Sequence, residues 1–197
     1  MSEQNKIFRF LEVVTDYAYM NILWLFFSLP IITFFPATTA LFRIIRKRAN
    51  GEEIPILKSF FHYFKKDFKK GVLFGSAVIF VSVMLVGDFL IIVSLENPWQ
   101  SVLLPILIVI TLLFLMVTVY FIPLCISYPL SFKHLLSMAF GLSIRRPIRP
   151  VLVICLFVLL AVLTLYTKFF TILLVFSICS WIQYKLIQPA IEKIVVA

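Results

Sequence analysis

The sequence predicts an all-α, polytopic integral membrane helical bundle, with about five transmembrane helices and additional cytoplasmic interfacial amphipathic helices. Three observations predict it. Of the 197 residues, 62% are hydrophobic and the mean hydropathy is +1.09, whereas soluble domains carry about 45–50% apolar residues. The apolar residues gather into runs long enough to cross a bilayer, and the Lys and Arg residues fall between those runs. Twenty-two Phe and only five Gly, with no sustained alternation of period two, argue against an outer-membrane barrel and for helices that satisfy their own backbone groups. One membrane domain accounts for the whole length, 1–197.

The tail before the first apolar run contains Glu3, Glu12 and Asp16, which argues for an uncleaved helix rather than a signal peptide. Ile7, Phe8, Leu11, Val13 and Val14 fall near helical spacing and predict a short surface helix there. Residues 17–35 are apolar except for Asn21, Ser28 and Thr33; at 1.5 Å per residue they cover about 28 Å, close to the hydrocarbon thickness, and form the first expected span. The second runs over 71–94 with Asp88 as its only charge, and the third over 101–127 with Pro105 and Pro123 near its ends. The apolar run 151–187 would measure about 55 Å as one helix, too long for any bilayer. A tight hairpin at Tyr166, Thr167 and Lys168 therefore divides it into spans 151–167 and 169–187.

Orientation follows from the short loops. Segment 43–70 holds nine Lys or Arg against three acids, and 133–149 holds four against none. Both are expected on the cytoplasmic side of a bacterial plasma membrane. The loop 95–100 carries Glu96 and Trp99 and no Lys or Arg, as an outer loop should. With five spans the N-terminus lies outside, together with Lys6 and Arg9, and the C-terminus lies in the cytoplasm. The net charge of +9 is thereby a loop bias, not a nucleic-acid footprint.

Within the first basic segment, residues 55–70 place Ile56, Leu57, Phe60, Phe61, Phe64 and Phe68 on one helical face, with Lys58, Lys65, Lys66, Lys69 and Lys70 on the remainder. That pattern describes a helix in the inner-leaflet interface, each Lys gaining about 1 kcal/mol from anionic lipid; a docking surface for a membrane transporter or sensor protein is the other reading. Pro30 and Pro36 interrupt the first span. Broken helices bind ligands through freed backbone groups, although proline kinks are also common in purely structural spans. Asp88, an ionisable group within a span, is a functional candidate by default, with Lys168 its nearest cation by topology and a hydrated near-interface carboxylate the plainer alternative. Gly71 and Gly75 form a GxxxG pair suited to close helix packing within the chain.

Catalytic signatures are missing: there is no Walker loop, HExxH, GxSxG or Cys/His cluster. His62 and His134 are too isolated for a metal site, and Cys125, Cys155 and Cys179 read as buried free thiols. No cofactor or metal is expected.

The run Asn21, Trp24, Ser28, Pro30, then Pro36, Ala37, Ala40 and Leu41 resembles the NxxWxxxSxP…PAxxAL opening of the YesL-like family of bacterial membrane proteins. FFHYFKKDFKK and SFKHLLSMAFGLSIRRPIRP resemble its two further landmarks, so the likeness covers about residues 21–150. Phe35 stands where that family usually has Gly, and Asp67 where it usually has Asn. The resemblance implies a several-span helical protein of Firmicute-like bacteria, often encoded near carbohydrate-uptake genes and without an established activity. The expected function is that of a non-enzymatic accessory or regulatory component associated with carbohydrate uptake. The alternative is a small-solute transporter or channel, working as a homo-oligomer through the Pro30–Pro36 break and Asp88. A membrane-embedded enzyme ranks behind both. The candidate functional residues are Asn21, Trp24, Pro30, Pro36 and Asp88, with the interfacial set Phe60, Phe61, Phe64, Lys65, Lys66, Phe68, Lys69 and Lys70.

Overall fold

A computed structural model describes residues 3–94, 98–128, 130–167 and 180–187. Among them every regular element is helical: α1 (Glu3–Ser28), a 3-10 turn (Ile31–Thr33), α2 (Phe34–Ala49), α3 (Ile56–Ser94), α4 (Trp99–Ser127), α5 (Phe132–Arg145) and α6 (Ile148–Thr167). A further helical stretch occupies 180–187.

The tail and the first apolar run form one helix, because nothing between Glu3 and Ser28 breaks it. Pro30 then does: it has no N–H to donate and disfavours the helical conformation at Leu29. The first expected span, 17–35, is corrected here. Instead of continuing, the chain reverses through Leu29–Thr33, and α2 returns antiparallel to α1. Near the turn the Trp24 indole donates to Thr38 Oγ1 at 3.1 Å. At the opposite end Arg48 pairs with Asp16. The base of α1 and the last turn of α2 therefore lie together.

α2 is the centre of the protein. Every residue from Phe35 to Phe42 is buried, with α1 and α3 against its flanks. One apolar cluster joins Met20, Trp24, Ala40, Leu41 and Phe60; the other joins Phe35, Phe42, Phe74, Tyr120, Phe121 and Leu135. α2 ends at Asn50 and Gly51, where Gly51 takes φ +81°, a left-handed conformation that costs glycine little. Arg46, Lys47 and Arg48 in its last turn complement the negative end of the helix dipole.

Residues 55–70 are not a separate interfacial helix. With no Gly or Pro between Ile56 and Lys70, they continue into the apolar run as the single 39-residue α3, about 58 Å long. Phe60 is fully buried and faces α1, not lipid. Gly71 and Gly75 let α3 approach the start of α2. A Cβ at Gly71 would stand 2.8 Å from the Pro36 ring and from its backbone nitrogen, and one at Gly75 would stand 2.8 Å from the Phe35 ring.

Two helices, α3 and α4, are long and apolar enough to cross a membrane. Their most apolar stretches have mean hydropathies of 2.5 and 3.0, and 0% and 17% of those stretches is buried within the protein. A core helix of a soluble protein would be mostly buried. The shorter apolar stretch Ile148–Val162 belongs to α6, which begins three residues before the expected span 151–167. The basic segment 133–149 contains α5, packed on the last turns of α4; Tyr120 donates its hydroxyl to the Arg146 carbonyl at 2.8 Å. Stretch 180–187 returns beside α4, where the Gln183 amide donates to the Val119 carbonyl at 2.9 Å. Of the expected turn, Tyr166 and Thr167 are still helical at the end of α6, while Lys168, most of span 169–187 and Cys179 lie outside the described residues. Cys125 is buried as expected, whereas Cys155 is exposed on α6.

Gly71→Val is expected to lower stability by about 1–3 kcal/mol, since the methyls must displace Pro36 backbone. Gly87→Val, where a Cβ meets nothing within 4 Å, should change it by less than about 0.5 kcal/mol. Thermal midpoints of the purified variants in detergent decide the comparison.

Candidate functional site at the basic end of α2, α3 and α4

Pro36 and Arg43 are two turns apart on α2, and Gly71 and Asp67 one turn apart on α3. The contact that brings Pro36 onto Gly71 therefore also brings Arg43 onto Asp67. The Arg43 guanidinium donates from Nε to Asp67 Oδ2 at 2.5 Å and from Nη2 to Oδ1 at 3.2 Å. Its outer nitrogens reach the carbonyls of Ile126 and Cys125 at 3.4 and 3.5 Å, longer contacts in the last turn of α4. Tyr63 lies beneath the guanidinium, 5.7 Å from ring centroid to Cζ. Side-chain exposure is 18% for Arg43 and 7% for Asp67, so the pair is largely removed from water.

Around this node Arg46 reaches Ser127 Oγ at 3.4 Å, and Lys70 donates to the Leu130 carbonyl at 3.1 Å. Lys47 donates to Glu52 Oε2 at 2.7 Å, and that hydrogen bond holds its ammonium above the usual lysine range. A cleft of about 230 Å³ opens between Arg43, Arg46, Lys47, Asn50, Glu52, Tyr63 and Ile126. Among the described residues no group of three His, Cys, Asp or Glu stands close enough to hold a metal ion.

The sequence candidates fall into three places. Asn21 and Trp24 are buried in α1, and the Trp24 ring meets Phe34 edge to face at 5.6 Å. Pro30 is exposed at the turn, and Pro36 is buried against Gly71. The break between them closes on itself: Thr33 Oγ1 lies 2.6 Å from the Phe27 carbonyl and 2.8 Å from that of Pro30. Asp88 is exposed on α3, seventeen residues or about 25 Å beyond Gly71, so the structure does not bring it together with the two prolines. Lys168, expected beside it, lies outside the described residues.

In the aromatic and basic set, Phe27 of α1 packs on Phe60, Phe61 and Phe64 with ring centroids 5.4, 5.0 and 5.2 Å apart. Phe60 and Phe64 thus hold α1 to α3, while Phe61 and Phe68 stay partly exposed. Lys65, Lys66, Lys69 and Lys70 are exposed. Sequence reasoning missed the Arg43–Asp67 and Arg48–Asp16 pairs. The available signal was the single acid inside the lysine run KKDFKK.

Described residues that are helical throughout their regular elements, two helices fit to cross a membrane, and a largely buried ion pair from α2 to α3 inside a basic rim define a class of helical membrane-type proteins. The chain belongs to the family described as protein of unknown function, DUF624, whose model matches residues 17–89: the α1–α2 hairpin and most of α3. It is 31% identical over 150 residues to the uncharacterized protein YesL of Bacillus subtilis (strain 168), covering 74% of this chain and 70% of that one. It is 28% identical to the uncharacterized protein YteU of the same organism, over 96% of this chain and 86% of that one. Uncharacterized protein YesV, also from that strain, is 28% identical over 78% and 77%. No solved structure matches the chain.

Asp67→Ala should cost about 2–4 kcal/mol, below the upper range for a buried pair because Arg43 keeps some solvent access. Arg43→Met combined with Asp67→Leu should recover much of that loss, since neither charge is then left buried. A double-mutant cycle read by unfolding in detergent checks both; additive single effects would show that the pair is not coupled.

Proposed function

We propose that the protein is a multi-pass component of the bacterial plasma membrane that serves as a non-enzymatic accessory or regulator of carbohydrate uptake, with its basic cytoplasmic end as the working surface. The observation that carries this reading is the segregation along α3. Lys58, Lys65, Lys66, Lys69 and Lys70 are exposed over its first four turns; from Leu73 to Val93 its exposed large side chains are apolar, with Asp88 the one charge. That apolar stretch rises about 30 Å, the thickness of the hydrocarbon layer. An open apolar groove between α3 and α4, lined by Leu85, Phe89, Leu107 and Leu112 among others, suits acyl chains. The excess of Lys and Arg assigns the basic end to the cytoplasm. α3 and α4 then cross, α6 and the segment containing 180–187 cross again, and the C-terminus is cytoplasmic.

The partners that fit the basic end are anionic inner-leaflet lipids, each Lys contributing about 1 kcal/mol, and a membrane transporter or sensor. Exposed apolar faces on α3, α4 and α6 also leave room for a homo-oligomer. The transporter alternative gains no support from the separation of Asp88 and the Pro30–Pro36 break.

Replacing Lys58, Lys65, Lys66 and Lys69 together by Gln should leave the amount of protein in membranes unchanged, while reducing co-purification of a transporter or sensor and lowering sugar uptake toward that of a deletion strain. Normal uptake in the deletion strain, with no such partner recovered from native membranes, would sink the proposal.

A further inference from the structure

We propose that α1 and α2 form a re-entrant hairpin that enters the bilayer from the basic side and turns back within that leaflet, leaving the N-terminal tail on the same side as segment 43–70. The inference rests on the membrane location proposed above and replaces a crossing by α1 with a dip.

The base of the hairpin is polar and closed. Arg48 pairs with Asp16, and the last turn of α2 is Arg46, Lys47 and Arg48, so Asp16 stands at the level of the basic end. From Asp16 to Ser28 α1 rises only about 18 Å, well short of the roughly 30 Å of hydrocarbon. A hairpin anchored there cannot reach the far side.

The tip has the chemistry of a lipid contact. Phe26, Leu29, Ile31 and Ile32 are 67, 70, 72 and 61% exposed, with Pro30 exposed between them. A water-facing turn is ordinarily rich in Gly, Asn, Asp and Ser; this one is Leu-Pro-Ile-Ile. Its backbone is also closed as acyl surroundings require. The Thr33 N–H donates to the Pro30 carbonyl at 2.8 Å, and the Thr33 hydroxyl lies within reach of the Phe27 and Pro30 carbonyls. In water those carbonyls would need no such closure.

The tip is continuous with the apolar belt of α3. Just past the turn, Phe35 lies against Gly75 and its ring meets Phe74 at 5.1 Å, close to where the belt begins at Leu73. The occupant of the exposed tip is therefore lipid acyl chain near the basic edge of the belt. Small residues make the descent and return possible: Ala37 and Ala40 are fully buried, and Gly71 admits Pro36.

Single-cysteine variants in a background without Cys125, Cys155 and Cys179 test this with a membrane-impermeant maleimide. Thr15→Cys and Lys47→Cys should both stay unlabelled in intact cells and react once the cells are opened, while Ser94→Cys reacts in intact cells. Labelling of Thr15→Cys from outside, with Lys47→Cys inside, would overturn the hairpin and leave the membrane location standing. Labelling of Ser94→Cys and Lys47→Cys from one compartment would instead remove the crossing by α3 and the membrane reading with it. A fluorophore on Ile31→Cys in proteoliposomes should be quenched by lipids labelled high on the acyl chain. Quenching by aqueous iodide, or strongest quenching from the bilayer midplane, would count against a shallow dip.

Discussion

The meeting of Arg43 with Asp67 fixes how three helices stand relative to one another. A guanidinium this far from water requires a counter-charge and acceptors for its remaining N–H groups. Asp67 supplies the first in a two-point contact, and the last turn of α4 supplies the second, since its carbonyls have no partner within their own helix. One side chain from α2 thereby ties the register of α3 to the last turn of α4. Buried pairs of this kind contribute little net stability compared with a well-packed apolar substitute. Their effect is to penalise the wrong register, because any slip would strand a charge.

The residues that carry the YesL-like resemblance are explained by packing before chemistry. Trp24 bridges to Thr38, Pro30 turns the chain, Pro36 lies in the space left by Gly71, and Ala37 and Ala40 present no bulk where α1 and α3 close in. With little hydrophobic gain available between apolar helices in lipid, contact depends on close approach and on polar links. The hairpin uses both: small residues along its length and the Arg48–Asp16 pair at its base. Phe35 is accommodated by Gly75 and meets Phe74 edge-on.

The helical class, the apolar lengths of α3 and α4 and the basic character of their shared end were legible in the sequence, because composition and run length carry that information directly. The reversal at Pro30 was not. Hydropathy averages across Leu29 to Phe35 without interruption, and a proline reads equally as a kink or as a turn; only the pairing of Asp16 with a residue thirty-two positions later decides. The boundary placed at Lys70 failed for a related reason. A change from amphipathic to uniformly apolar composition marks a change of environment, not an end of helix, and Gly71, which after two lysines reads as a helix stop, instead serves the close approach of Pro36. The Arg43–Asp67 node joins positions far apart in the chain, and Asp67 was visible beforehand only as an odd acid among lysines.

The uninterrupted α3 gives the two halves of the molecule a mechanical relation. Its basic half is fixed laterally, by Phe60 and Phe64 against Phe27 and by Asp67 against Arg43. Its apolar half is held mainly by α4, with the Phe74 and Phe121 rings stacked 3.5 Å apart at the junction. Hinges in long helices are found at prolines, glycine pairs or π-bulges, and the two glycines at the junction are pressed against Pro36 and Phe35 and so are not free to bend. A load on the lysine-bearing end would therefore tilt α3 as a rod and carry α4 with it through the stacked rings. A separate interfacial helix on a flexible joint would not have provided such a connection.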